Sequence, residues 1–393
     1  MTERHFMDVR TLLEVMVKQE SSDLYLTVDA PPIYRIHGST HRTDAPPFTN
    51  EQLETLALAL MRGQQRGEFE EKMEMNLALY YKELGRFRVN IFRQKGNVGL
   101  VFRHIKAEIM TVEQLDLPPI VKDIAMTKRG LVLVVGATGS GKSTSLAAMI
   151  DHRNTVHAGH IISVEDPIEF VHHHKKSIVT QREVGFDTHS FGNALKNTLR
   201  QAPDVILIGE IRDTETMEAA ITFAETGHLC LGTLHSNNAN QSIERIMNFF
   251  PVERHAQIYL QLSLNLRAII SQRLIPSLDG RRVPALEIML DTPRIKDLIK
   301  RSEIDTLKEA MEQGIDEGCQ TFDHVLLQLY KAGRISIEQA LINADSANNL
   351  RLKIKLAGLK GDDAVAALLD KNDRNEKGFQ IQGQMGQGGN KKR

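Results

Sequence analysis

A chain of 393 residues, 41% of them hydrophobic, is long enough for one large or two ordinary domains with a sizeable core. Lys and Arg number 49 against 50 Asp and Glu, a net charge of −1, which argues against a whole-surface nucleic-acid binder although totals do not register a local basic groove. The two cysteines, Cys230 and Cys319, are far apart and make neither a disulfide framework nor a metal site, while the N-terminal "MTERHFMDVR" is polar and no stretch approaches the ~18 apolar residues of a membrane span. The expectation is a cytoplasmic protein with no direct membrane insertion.

In chain order, residues 8–20 carry apolar side chains at helical spacing, and the runs LYLTV and PPIYRIHG after the turn-like SSD predict a strand pair. A helix is predicted at 50–62, then three strands at "NLALYY", "RFRVNIFRQ" and "NVGLVFRHI". Residues 1–105 therefore read as an α+β domain, and 106–118, with Pro118 and Pro119 near its end, as a linker. From 130 the pattern changes. GLVLVVG, HIISVED, DVILIGE and HLCLGTLH are apolar without alternation, as strands buried on both faces should be, and helical segments separate them. Beyond 250 the periodicity predicts helices at 255–272, 292–313, 321–332 and 336–356, with one hairpin around "SLDGRRVPALEIML". Residues 358–393, polar and rich in Gly and Gln, read as a disordered tail after a second domain at 119–357.

The run "GATGSGKST" (136–144) follows an apolar strand and opens a helix, the context that the GxxxxGK[ST] pattern requires. Gly136, Ala137, Thr138, Gly139, Ser140 and Gly141 would curve backbone N–H groups around phosphate oxygens. Lys142 supplies the charge at the β- and γ-phosphates, Ser143 ligates Mg²⁺, and Thr144 lies near the α-phosphate. Such a loop needs a carboxylate for the metal and a group to orient water. Glu210 follows the strand VILIG and Glu165 follows another, so both can face one phosphate at the carboxyl ends of a parallel sheet. Glu210 is assigned to the Mg²⁺ shell and Glu165 to the attacking water. Gly209 and Glu210 stand where an Asp-Glu pair is usual, so no single segment supplies both roles.

His235 ends the run HLCLGTLH and His228 begins it. At about 3.3 Å per residue they lie roughly 20 Å or more apart, so they cannot serve one phosphate within one subunit. His235 is the γ-phosphate sensor of this reading, and His228 bonds another element or a neighbouring chain. The run "FVHHHKK" (170–176) reads as a solvated basic edge, since only His172 and His174 would share a strand face and no further metal ligand is spaced to join them. Arg86, Arg88, Arg93 and Arg103 crowd the last two strands of the first domain, with Arg86 and Arg88 on one face. They form either a solvated sheet face or a supply of arginine fingers over the nucleotide.

Through "GATGSGKST", "EDPIEF", "ILIGEIRD" and "ETGHLCLGTLH", residues 5–357 resemble the PilT/PilU family of type IV pilus retraction ATPases, within the secretion ATPase superfamily. "TKRGLV", "VTQREVG", "LKNTLRQAPDVI" and "DSANNLRLKIKL" resemble its PilU branch. The resemblance implies a PAS-like N-terminal domain, a RecA-like P-loop ATPase domain of α/β class with a helical C-terminal region, and a homo-hexamer with ATP between subunits. It implies Glu165 as general base, His235 near the γ-phosphate, and Arg88 and Arg103 approaching from the N-terminal domain. The partners it implies are a PilT-type retraction ATPase and an inner-membrane pilus platform protein, with no nucleic acid; the protein would sit peripherally at the inner membrane through the pilus machinery.

Two departures bear on function. Extension and secretion ATPases of the superfamily carry a four-cysteine zinc module, which two cysteines cannot build. The family's retraction motif "AIRNLIRE" is replaced by "RIKDLIKR" at 294–301. The expected function is a motor that powers or assists pilus retraction, together with a PilT-type ATPase. The alternatives are a RecA-like nucleic-acid translocase and a regulatory ring whose own hydrolysis is dispensable.

Overall fold

The computed structural model describes residues 8–36, 38–105 and 108–358; of the expected tail, all but Gly358 lies outside the described residues. Two sheets organise the chain. The first contains β1 (Asp23–Leu26), β2 (Ile33–Ile36), β3 (Ser39–Arg42), β4 (Glu74–Tyr81), β5 (Gly85–Gln94) and β6 (Asn97–Ile105), in the order β3-β2-β1-β6-β5-β4. Its neighbours are all antiparallel. Alternation along β5 buries Phe87, Val89 and Ile91. These pack with Leu12, Leu13 and Met16 of helix Val9–Lys18 and Leu53 and Leu56 of helix Asn50–Leu60. Helix Gly63–Lys72 and strand β3 have no apolar period and escape the sequence reading.

The second sheet contains β7 (Gly130–Val135), β8 (His160–Glu165), β9 (Ile178–Glu183), β10 (Val205–Ile208), β11 (Leu229–Leu234), β12 (Leu266–Pro276) and β13 (Arg282–Leu290), ordered β13-β12-β7-β11-β10-β8-β9. All neighbours are parallel except β12 and β13. Every residue of β7, β10 and β11 is buried, because helices cover both faces. Val112 and Leu117, within the stretch expected to be a linker, are buried in the core beside Val132 and Leu146.

One expectation fails outright. The helix read over 255–272 ends at Asn265, and Leu266 onward is β12. Leu266, Ile269 and Ile270 do fall at helical spacing, but β12 pairs with β7 on one side and β13 on the other and buries both of its faces. The hairpin turn at 277–280 lies where it was expected, joining β12 to β13.

Candidate functional site

The register of the parallel strands brings the chemistry together. Val135 of β7 lies opposite Leu234 of β11, Gly232 opposite Ile208 of β10, and Ile208 opposite Val164 of β8. The carboxyl ends of four strands therefore share one edge of the sheet, where ligands bind in open α/β folds. From that edge project the phosphate loop after β7, Glu165 at the end of β8, Glu210 just past β10 and His235 just past β11. A cleft of about 490 Å³ is lined by Gly139, Lys142, Ser143, Glu165, Glu210 and His235, among others.

The loop is shaped by glycine. Gly136 has φ +151°, and a Cβ there would come within 2.5 Å of the Gln272 carbonyl oxygen. Gly141, at φ +88°, turns the chain into helix Lys142–Val156. The ammonium of Lys142 donates to the carbonyls of Gly136 (2.9 Å) and Ala137 (3.0 Å), folding its side chain back across the loop. Burial lowers the pKa of Lys142, against the charges of Glu210 and Glu169, which favour its protonated form.

Gly209 is where the Asp of the usual pair would stand. A Cβ at 209 would lie 3.0 Å from Glu165 Cα and 3.1 Å from the Val164 carbonyl oxygen, so a side chain there would press on the backbone of β8. Glu210 points into the cleft instead. Its loop is fixed to β11 from both sides: Thr233 Oγ1 donates to the Gly209 carbonyl, and the Ile211 N–H donates to the Thr233 carbonyl (2.8 Å). That places Glu210 Oε1 3.4 Å from His235 Nε2, both side chains partly open to solvent. After His235 the chain enters helix Ala239–Met247, capped by Asn238 and by the buried Glu287 carboxylate, which accepts from the Ala239 N–H (2.7 Å).

Glu165 receives Ser163 Oγ (2.6 Å) and Gln181 Nε2 (3.1 Å), both on Oε1. Burial raises its pKa, the two hydrogen bonds pull it back, and the nearby Glu169 and Glu183 charges add to the rise. The oxygens of Ser143 and Glu210 form a hard donor set of the type Mg²⁺ takes when phosphates and water complete its shell. Among the described residues no cluster of three or more His, Cys, Asp or Glu is arranged to hold a metal.

A family profile described as "Type II/IV secretion system protein" matches residues 9–355. The type IV pilus ATPase PilU of Pseudomonas aeruginosa is 53% identical over 92% of this chain and 95% of its own length. The type IV pilus retraction ATPase PilT of the same organism is 44% identical, over 87% of this chain and 100% of its own. The chain belongs to the type IV pilus ATPases. A crystal structure of the pilus retraction motor PilT with bound ADP matches with a TM-score of 0.82 at 41% identity, covering 88% of this chain and 99% of that one. This pilus ATPase converts ATP and water to ADP and phosphate with a PilT-like fold.

Other residues fall outside the cleft or enter it unannounced. Every described residue lining it in this pilus ATPase belongs to 138–282, so Arg88 and Arg103 do not line the cleft of their own chain. They sit opposite each other on β5 and β6, and Arg103 Nε donates to the buried Asp23 carboxylate at 2.8 Å. Arg86 is bonded to Glu183 at 2.8 Å. His228 lies at the opposite end of β11 from His235, with Thr226 Oγ1 at 3.1 Å from its Nδ1.

The FVHHHKK run departs from the reading as a basic edge at one position. Residues 170–176 are not a strand; His173, His174, Lys175 and Lys176 are exposed, but His172 is buried and lines the cleft. Burial pushes its pKa down to about 4, so the ring is neutral near pH 7. Its neighbour Glu169, with Phe170, also lines the cleft. Gln181 and Ser163, which hold Glu165, lie on strands next to each other, and no local motif marks them. The one available signal is the polar residue two positions before Glu165, on the same face of β8.

No helix among the described residues is long and apolar enough to cross a membrane.

Proposed function

We propose that this pilus ATPase forms a homo-hexamer that docks onto a PilT-type retraction ATPase and adds force to pilus retraction and twitching motility, rather than engaging the inner-membrane platform protein by itself. The observation that carries the assisting role is helix Pro293–Lys300, which holds most of the altered RIKDLIKR segment. Its Ile295, Leu298 and Ile299 are buried as an apolar stripe. The changed positions lie on the other face, in ion pairs at the surface: Arg294 with Glu309 (3.5 Å), Lys296 with Asp291 (2.8 Å) and Arg301 with Asp297 (2.9 Å). The substitutions thus leave the packing of the helix alone and rewrite the charge that it presents. The protein would be cytoplasmic and peripheral at the inner membrane through this assembly.

Within the cleft the roles divide by position. Lys142 and the loop amides hold the triphosphate, and Glu165 takes the proton of the attacking water as the water oxygen bonds to the γ-phosphorus and the bond from that phosphorus to the β,γ-bridging oxygen breaks, releasing ADP. Ser143 and Glu210 would hold Mg²⁺, which neutralises charge on the β- and γ-phosphate oxygens when bound. His235, steadied by Glu210, senses the γ-phosphate. Arg88 and Arg103 act as fingers on a neighbouring subunit's cleft, since they do not line their own. In that arrangement Arg103 must exchange Asp23 for phosphate.

Two measurements test this. In cells whose PilT-type partner lacks hydrolysis, retraction should persist through this protein's own ATPase; in cells lacking the partner altogether it should stop. Normal retraction with the partner absent would show a ring that pulls unaided. For the site, His235→Ala should weaken ATP affinity by about tenfold, the scale of one lost hydrogen bond to a charged group, with ADP affinity little changed. Titration with both nucleotides checks this, and equal losses would make His235 structural.

A further inference from the structure

Strand β9 is the edge of the ATPase sheet, yet Gln181 and Glu183, which share one of its faces, bond toward Glu165 and segment 168–172 rather than toward solvent. Gln181 makes three hydrogen bonds with one amide. Its Nε2 donates to Glu165 Oε1 (3.1 Å) and to the Phe170 carbonyl (2.9 Å), and its Oε1 accepts from the His172 N–H (2.8 Å). Two residues on, Glu183 accepts from the Ile168 N–H (3.4 Å) and pairs with Arg86 (2.8 Å). Residues i and i+2 of a strand share a face, so segment 168–172 hangs from one face of β9 at three points. That segment contributes Glu169, Phe170 and His172 to the nucleotide cleft.

The amide has one workable orientation. Both protons of its nitrogen meet acceptors and its oxygen meets a donor; flipped, it would set oxygen against carboxylate and carbonyl, and N–H against N–H. On the receiving side, Ser163 and Gln181 both donate to Oε1 of Glu165. That leaves Oε2 as the oxygen to meet a water.

We propose that Gln181 is a positioning residue for Glu165: its amide sets which carboxylate oxygen faces the nucleotide, and ties that carboxylate to the cleft-lining segment 168–172. The proposal rests on the reading of Glu165 as the general base. Two hydrogen bonds to the charged carboxylate also offset what burial does to its proton affinity, and the charges facing it belong to Glu169 of the segment and Glu183 of β9. Lys142, Glu210 and His235 line the same cleft.

The test uses the full-length protein, assembled as it purifies, and the pH dependence of kcat. Gln181→Met keeps the length of the side chain and loses its hydrogen bonds. Gln181→Glu keeps the acceptor for His172 and brings a like charge to Glu165. For the Met variant kcat should fall about tenfold to a hundredfold with KM for ATP within about twofold, because orientation and not binding is lost. Its acid limb should move up by about one pH unit, the scale of one hydrogen bond to a charged group. The limb of the Glu variant should move further, and that of Ser163→Ala in the same direction. Acid limbs at the wild-type position in both Gln181 variants, or a rise in KM with kcat unchanged, would overturn the proposal and leave the amide as a brace for the segment alone. Should Gln181→Met not fold, Gln181→Glu and Ser163→Ala decide it by the same readout. Undiminished turnover in Glu165→Gln would instead remove the base reading on which the proposal stands, and the two failures are told apart by that variant.

Discussion

Lys142→Ala should bind ATP about 10²- to 10³-fold more weakly than wild type and turn it over at background rate. The reasoning is electrostatic. A unit charge about 4 Å from a phosphate oxygen contributes on the order of 4 kcal/mol at the effective dielectric of a protein cleft, and about 1.4 kcal/mol is a factor of ten. Part of that is spent on holding the ammonium where burial disfavours its charge. Among the described residues of its own chain, Arg282 is the one further Lys or Arg that lines the cleft, and it comes from the far edge of the sheet on β13; fingers from a neighbouring subunit would not restore the charge inside the loop. The fold should tolerate the change. The lost contacts are two hydrogen bonds to loop carbonyls, each about 1 kcal/mol net, and the loop's course is set by its glycines. Calorimetric titration and steady-state turnover check the prediction. Wild-type affinity in a folded Ala variant would place the triphosphate elsewhere.

The phosphate loop was legible because its requirements are local: a strand, fixed glycine spacing and a helix start, all within twenty residues. Glu165, Glu210 and His235 could be singled out because each follows an apolar run that only a buried parallel strand explains. What the sequence does not carry is register. That His235 reaches Glu210, or that a Cβ on Gly209 would crowd Glu165 Cα at 3.0 Å, depends on which strand neighbours which. Strand β9 was missed for a related reason. Four of the six residues of its sequence IVTQRE are polar, as in an exposed edge, but Glu183 is buried and Gln181 is committed to hydrogen bonds. His172 was hidden the same way, by a run of three histidines and two lysines whose other members do face solvent. In β12 the error ran the other way. Its apolar residues fit a helical stripe, and only pairing on both sides, which burial rewards on both faces, selects the strand.

Glu165→Gln should leave ATP and Mg²⁺ binding nearly intact while lowering kcat by about 10² or more, the scale of a lost general base. The variant is a clean one. A glutamine oxygen at the Oε1 position still accepts from Ser163 and Gln181, so the side chain keeps its place while an uncharged NH2, which cannot take a proton, replaces Oε2. The pH profile adds a second check. In the wild type, burial holds the Glu165 pKa above the ordinary carboxylate range, so activity should fall as pH drops through that raised value, where the carboxyl becomes protonated and stops accepting. The residual activity of the Gln variant should lack that limb. Glu210→Ala should behave differently, needing more Mg²⁺ for the same rate, because Glu210 is the carboxylate proposed to hold the metal with Ser143 while Glu165 is the one proposed to act on the water. Magnesium dependence that changes in Glu165→Gln and not in Glu210→Ala would exchange the two roles. An acid limb that survives unchanged in Glu165→Gln would assign the proton to another carboxylate, and Glu169, which lines the same cleft, is the one to test next.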